Sequence, residues 1–418
     1  MSTSDTAADF GEHAARIELA RCLDVCLDCR RCVDLCGVFS EAIDLVGSLG
    51  HAESGLLTPL EQDRILSLCS HCDQCRDDCP HRPGVGEAAV DLPAAVEGVA
   101  AAVHRSGRTG WRSAFVVRAL ASDGAMRWAR RFRGPLNRLL RGREGGVSRR
   151  ALSMLIGVTS DRPVPRIADQ SFTDWFGLRE PAIAAVAPSV LVVPTCLIDQ
   201  FAPEIGQATV TTLEGCGVRC VPSGVICCGG GLLESGQVDR FLRVAETNLA
   251  LLSEGDCADP IVVLQPGCAE VLRSDYPRVL GQRAAAVASR VRGAFEHLDA
   301  RSSMEAPGDG PSLPDVVGVI SSPRAAATGE EDLLIARLEG RGVRVVRIPS
   351  GPVGESSAAL LSTRDTAESA PGPAEVADDV PLVGLSVLVN GALERRLGRA
   401  VEPAQNLLPA LFPAVADA

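Results

Sequence analysis

The chain contains no lysine; every one of its 41 strongly basic side chains is arginine. We read that as genomic base composition and not as function. Aromatic residues make up only 3% of the chain, and Tyr276 is the single tyrosine. No run of about eighteen apolar residues exists, so no membrane-spanning helix is expected. The first residues offer no Arg-rich or apolar cleavable stretch, and Asp5, Asp9 and Glu12 are of the wrong charge for one, so no targeting segment is expected. Net positive charge is also missing. The formal charge of −12 argues against general nucleic-acid binding. A length of 418 residues, 46% of them hydrophobic, allows two or three domains with substantial cores.

What is present is cysteine. There are sixteen, and without a secretion signal they point to a reducing compartment where thiols serve as metal ligands. Two runs share one spacing: Cys26-x2-Cys29-x2-Cys32-x3-Cys36, and Cys69-x2-Cys72-x2-Cys75-x3-Cys79 followed by Pro80. This is the spacing of two-cluster bacterial ferredoxins, in which three thiolates of a run cap one cubane and the fourth ligates the other. It assigns Cys26, Cys29, Cys32 and Cys79 to one 4Fe-4S cluster, and Cys69, Cys72, Cys75 and Cys36 to a second. Structural zinc or disulfides are the bland alternatives. The first run ends in Cys36-Gly37 where Cys-Pro is usual. Cys22 reads as a small core residue or a spare ligand. His71 and His81 flank the second run and are not needed as ligands.

Around these runs the pattern is helical. Phe10, Ala14, Ile17 and Cys22 recur at helical spacing. Residues 40–48 suggest a short helix. Thr58-Pro59-Leu60-Glu61 has the form of a capping box with proline at the first helical position, which predicts a helix over 59–68 that delivers Cys69. Residues 105–150 carry thirteen arginines against Asp123 and Glu144, interleaved with Trp111, Phe115, Trp128, Phe132 and Leu139. Such a basic amphipathic stretch suits an anionic membrane surface. It equally suits an acidic partner or the acidic remainder of the chain; nucleic acid has no other support. Gly134-Pro135 is expected to break it into two helices.

From about residue 187 strands alternate with helices, implying parallel sheets with helices on their faces. Strands are expected at 189–193, 218–221 and 260–264, with helices at 203–215 and 236–253. After a Pro/Gly/Ser-rich linker the pattern restarts, with strands at 316–320, 343–348 and 385–389 and a helix at 329–341. Residues 350–382 read as an acidic insertion. Cys196, Cys227, Cys228 and Cys268 each follow a strand or sit in a loop on one side of the first sheet. Gly229 to Gly231 would let the adjacent thiolates turn toward one metal. Core packing is the alternative for them, and the expected role for Cys216, Cys220 and Cys257.

A two-cluster module followed by Cys-Cys-Gly repeats resembles the iron–sulfur subunit of anaerobic glycerol-3-phosphate dehydrogenase, and the related subunits of glycolate oxidase and heterodisulfide reductase. The likeness rests on the two runs, Pro194-Thr195-Cys196, Cys227-Cys228-Gly229, Gly267-Cys268, Arg273 to Pro277, and the stretch Arg166 to Phe176. It departs in the second repeat. Pro323-Arg324 stands where Pro-Cys would fall, Ile348 to Gly351 where Cys-Cys-Gly would fall, and no cysteine lies beyond Cys268.

The resulting expectation is an α+β multidomain protein. Residues 1–100 form a helical ferredoxin-like domain, 101–184 a basic amphipathic connector, 185–300 a first Cys-Cys-Gly repeat, 301–314 a linker, and 315–418 a degenerate second repeat. The resemblance implies an electron-transfer subunit. It would pass electrons between a flavin-dependent dehydrogenase or oxidase partner and a membrane quinone-type acceptor, in the cytoplasm or at the inner face of the membrane. Two alternatives stay open: a disulfide or quinone reductase using a zinc or iron–sulfur site at Cys196, Cys227, Cys228 and Cys268, and a redox-sensing scaffold. Whether the chain itself turns over a substrate is left open.

Overall fold

The computed structural model describes residues 11–33, 36–48, 54–85, 88–108, 111–140, 165–180, 183–184, 187–253, 259–301, 312–350, 380–386, 390 and 400–412. The N-terminal region is helical: α1 (Glu12–Cys29), α2 (Gly37–Ser48), α3 (Pro59–Ser67), α4 (Gln74–Asp77) and α5 (Leu92–Arg105). The capping box on α3 forms as its sequence demands, with the Thr58 side chain accepting from the Glu61 N–H and Glu61 accepting from the Thr58 N–H. Leu19, Leu23, Phe39, Ile65, Val96 and Val99 form the local core. Cys22 is fully buried in it on α1. Arg16 is buried too, and it ties α1 to α3 by donating to Gln62 (3.1 Å) and Asp63 (2.7 Å).

α1 runs further than its apolar pattern indicated. It continues through Cys29 and is closed by Arg30 in the left-handed region (φ 55°). Cys26 and Cys29 therefore sit one turn apart at a helix end, and not on a tight loop.

Among the described residues, the arginine-rich stretch 105–150 forms three helices, α6 (Trp111–Leu120), α7 (Asp123–Arg131) and α8 (Arg133–Leu140). The expected break at Gly134-Pro135 is not where the chain bends. Pro135 lies in the first turn of α8, where its missing N–H costs little, and the bends fall at Ser122, which caps α7, and at Phe132.

Two four-stranded parallel sheets follow. The first is built from β1 (Ser189–Val193), β2 (Arg219–Pro222), β3 (Ile261–Val263) and β4 (Val291–Gly293), in the order β2-β1-β3-β4. The second is built from β5 (Val316–Ser321), β6 (Arg344–Pro349), β7 (Leu382–Gly384) and β8 (Glu402–Pro403), in the order β6-β5-β7-β8. The two orders are the same, with registers such as Val190↔Cys220 and Leu191↔Ile261 in one and Val319↔Arg347 and Val319↔Val383 in the other.

Three strands depart from expectation: β7 in its position, and β4 and β8 in being unforeseen. β7 lies three residues earlier than the run 385–389. Its end is set by Asn390, whose side-chain amide donates to the Gly384 carbonyl (3.0 Å) and packs where a Cβ would stand. Residues 387–389 lie outside the described residues, as do Cys257, 302–311 of the linker and 351–379 of the insertion. β4 and β8 are too short to show a period.

One apolar core runs through both sheets. Val190, Val192, Leu213, Val262 and Phe295 on one side are continuous with Val317, Val319, Leu334, Leu408 and Phe412 on the other. Glu330, which opens the helix Glu330–Gly340, crosses the seam to accept from the Phe295 N–H (2.9 Å) at the start of the helix Ala294–Asp299. The first sheet unit also meets the N-terminal region closely. Gly236 has φ 76°, and a Cβ there would strike the Ala100 carbonyl of α5.

Candidate metal centres

Two cavities lie side by side in the helical region. The first is lined by Cys26, Cys29, Cys32, Cys75 and Cys79 with Val25, Phe39 and Leu92. The second is lined by Cys32, Cys36, Cys69, Cys72 and Cys75 with Val38, Leu92 and Val96. Cys32, Cys75 and Leu92 face both, so a single wall divides the cavities. The fourth cysteine of each run, Cys36 or Cys79, faces only the cavity lined mainly by the other run.

The chemistry of these cavities fits a metal cluster. The Cys26 thiol is pushed up to about 12 by burial and then by Cys22, Cys79 and Cys32. Cys32 rises to about 11 and Cys72 to about 12, in each case from burial first and the Cys36 sulfur next. Cys69 and Cys75 are raised well above the ordinary thiol value, again by burial. Nothing in the walls rewards a thiolate enough to offset this. Iron would supply the missing positive charge, and the soft donors lining each cavity match iron–sulfur ligation. Among the described residues no three Cys, His, Asp or Glu side chains converge as a site for a single ion, here or at the later cysteines.

The second loop is further shaped by its backbone. His71 (φ 55°) and Asp73 (φ 58°) both lie in the left-handed region. That turn directs the His71 N–H to the Cys69 sulfur and the Gln74 N–H to the Cys72 sulfur. The His71 ring is driven down to about 4 by burial, which keeps it neutral. His81 lines the first cavity.

The four later cysteines also come together, all buried, at the carboxyl ends of β1 and β3. Sheets of this kind bind ligands at that edge. Cys228 Sγ is 3.1 Å from Cys268 Sγ, and Cys227 interacts with both Cys196 and Cys228. The sulfurs thus form a chain, Cys196–Cys227–Cys228–Cys268. Gly229 (φ 86°) makes the turn, and its N–H donates to Cys227 Sγ (3.4 Å). Cys227 and Cys228 are raised well above the normal thiol value, chiefly by their sulfur neighbours, Cys196 for the first and Cys227 for the second. Thr195, just before Cys196, is a β-branched residue held at φ 68° with its hydroxyl buried and without a partner among the described residues. Strain of that kind gathers at functional sites.

Two residues here escaped the sequence reading of roles. Asn248 donates to the Cys227 carbonyl (2.8 Å), and Tyr276 donates to the Cys228 carbonyl (3.0 Å). Asn248 also bonds the Tyr276 hydroxyl (2.8 Å), so the pair clamps the Cys-Cys peptide. Being the chain's only tyrosine was the available signal. Cys220 is buried in the core beside β1, and Cys216 is half-buried against the Phe412 carbonyl.

The basic helices present Phe115, Trp128, Phe132 and Leu139, exposed by 52%, 62%, 45% and 41%. Part of their charge is spent within the chain. Arg130 meets Gln200 (2.7 Å) and Asp174 (3.4 Å), and Arg133 meets Asp169 (2.8 Å). Among the described residues no helix is long and apolar enough to cross a membrane.

This arrangement defines the class: residues 25–82 match the family of 4Fe-4S dicluster domains, and residues 190–273 match the family of cysteine-rich domains with the Cys-Cys-Gly motif. The chain thus carries one region of 4Fe-4S dicluster type and one of cysteine-rich type. Particular relatives are similar over about a fifth of it. One subunit of the fumarate reductase (CoM/CoB) of Methanothermobacter marburgensis is 37% identical over 84 residues, which is 20% of this chain and 17% of that protein. Lactate utilization protein A of Bacillus pumilus is 31% identical over 87 residues, 21% of this chain and 35% of that protein. The same-named protein of Exiguobacterium is 35% identical over 94 residues, 22% and 37% of the two chains. The chain thus matches only about a sixth to somewhat over a third of the length of these relatives.

Proposed function

We propose that the protein is an electron-transfer subunit carrying two 4Fe-4S clusters, ligated by Cys26, Cys29, Cys32 and Cys79 and by Cys69, Cys72, Cys75 and Cys36. The observation that carries this reading is the wall, with Cys32 and Cys75 in it, that the two cysteine-lined cavities share. Clusters on either side of it would exchange single electrons over a short distance. The protein's own part is to hold eight thiols in place, exclude water with Val25, Phe39 and Val96, and aim N–H groups at sulfur. Those are the levers that set cluster potentials. The donor would be a flavin-dependent dehydrogenase or oxidase, as implied by the likeness to the glycerol-3-phosphate dehydrogenase subunit. The acceptor would be a quinone in a membrane. The exposed Phe115, Trp128 and Phe132 among arginines are the surface for peripheral contact with the membrane's cytoplasmic face. The second sheet unit, with its matching strand order, is a diverged copy of the first that has lost its ligands.

The test is metal and sulfide analysis of anaerobically purified protein with spectra of the reduced form. About eight irons are expected, with about four lost in Cys26→Ser and a different four in Cys69→Ser. Little iron in the wild type, or loss of all of it in both variants, refutes the two-cluster reading.

A second reading is favoured by the approach of Cys228 Sγ to Cys268 Sγ. The chain Cys196–Cys227–Cys228–Cys268 would hold either a structural zinc or a further cluster that takes electrons from the other two and passes them to a disulfide or quinone. Iron beyond eight, lost in Cys228→Ala, would support it. One zinc lost in that variant would make the site structural.

A further inference from the structure

The position where the second unit would carry its first cysteine is filled by Arg324. This residue follows β5 on the short helix Pro323–Ala327 and is only 4% exposed. It does not face its own sheet's solvent edge. It reaches the N-terminal region, where its Nη2 donates to the His71 carbonyl (3.2 Å) and meets the Asp73 carboxylate (3.0 Å). The same nitrogen lies 3.7 Å from Glu234, on the helix that follows Cys227-Cys228-Gly229. Its Nη1 is buried with no partner among the described residues. One guanidinium thus joins three parts of the chain.

The two residues it grips flank Cys72. They are the two whose left-handed backbone aims N–H groups at the Cys69 and Cys72 sulfurs. Asp73 is held from the other side by Arg76 (3.2 Å), which also bonds Asp91 (3.2 Å). A cluster's potential rises with nearby positive charge and with hydrogen bonds to its sulfurs. Arg324 sits behind the second cavity, where it offsets the Asp73 carboxylate that lines it and fixes the loop that aims the N–H groups. We propose that Arg324 is a positioning residue and counter-charge that raises the reduction potential of the second cluster. The proposal rests on the reading of the second cavity as a cluster site.

The experiment is a redox titration of the anaerobic full-length protein, followed by electron paramagnetic resonance. The two signals are assigned with Cys26→Ser. Arg324→Gln removes the charge and leaves Asp73 and Glu234 unpaired in a buried place. The second cluster's reduced-to-oxidised ratio at fixed potential is expected to fall at least tenfold, ~59 mV for one electron, with the first cluster unmoved. Arg324→Lys keeps the charge but not the planar fork, and is expected to give a smaller fall in the same cluster. No change in the second cluster, or equal movement of both, overturns the proposal. Should Arg324→Gln fail to fold, Arg324→Lys decides by the same criteria. A wild type with fewer than about eight irons refutes the cluster reading itself, a result the iron analysis gives separately.

Discussion

Replacing Glu330 by glutamine should make the protein more stable at neutral and alkaline pH, with the gain fading toward pH 4.5. Glu330 is 1% exposed at the seam between the two sheets. Burial pushes its carboxyl up to about 7 from the usual 4.5, against the lowering effect of the Phe295 and Glu296 N–H groups. The folded state therefore holds a proton that the unfolded chain releases. Below pH 4.5 both states are protonated and the residue costs nothing. Between pH 4.5 and 7 the unfolded state ionises first, so stability falls as pH rises. Above pH 7 both are ionised and the full cost is present. A difference of 2.5 pH units corresponds to about 3 kcal/mol. Glutamine still accepts the N–H bonds but carries no charge. The assay is thermal unfolding from pH 4.5 to 8.5 under anaerobic conditions. The wild-type midpoint should drop relative to Glu330→Gln as pH rises, and the two should converge toward pH 4.5. A constant gap across that range, or a variant less stable at pH 8, would refute the reasoning.

Other outcomes follow from the same geometry. His297 is buried and lowered to about 4 by burial, so the unfolded chain takes up a proton first as pH falls below 6.5; His297→Asn should abolish about 3 kcal/mol of acid destabilisation between pH 6.5 and 4, read from unfolding midpoints. Tyr276→Phe leaves the Cys228 carbonyl without its donor and should cost roughly 1–3 kcal/mol, while alkylation of Cys228 becomes faster by mass spectrometry. Gly236→Ala combines a left-handed backbone with a clash against the Ala100 carbonyl. It should lower the unfolding midpoint by more than the roughly 1 kcal/mol of backbone strain alone, because α5 must also shift.

Much of the fold was legible because it is written in short-range patterns. The capping box at Thr58 and the apolar runs at 189–193, 260–264 and 316–320 mark elements that form where they were expected. The cysteine spacing likewise marks the eight residues that line the two neighbouring cavities. What was not legible depends on distant partners. β7 ends where Asn390 packs against Gly384. Strands of two or three residues, such as β4 and β8, show no period. The roles of Asn248, Tyr276 and Arg324 arise only when residues 21, 48 and 253 positions apart meet.

The unbroken core through both sheets has a consequence for how such a chain can change over time. A unit stripped of cysteines would ordinarily be free to disappear, since a premature stop codon in its linker would remove only ballast. Here the same stop would strand Val190, Val192 and Phe295 beside a missing neighbour, and would remove the arginine that grips His71 and Asp73. Selection on the half that carries thiols therefore also preserves the half that has none.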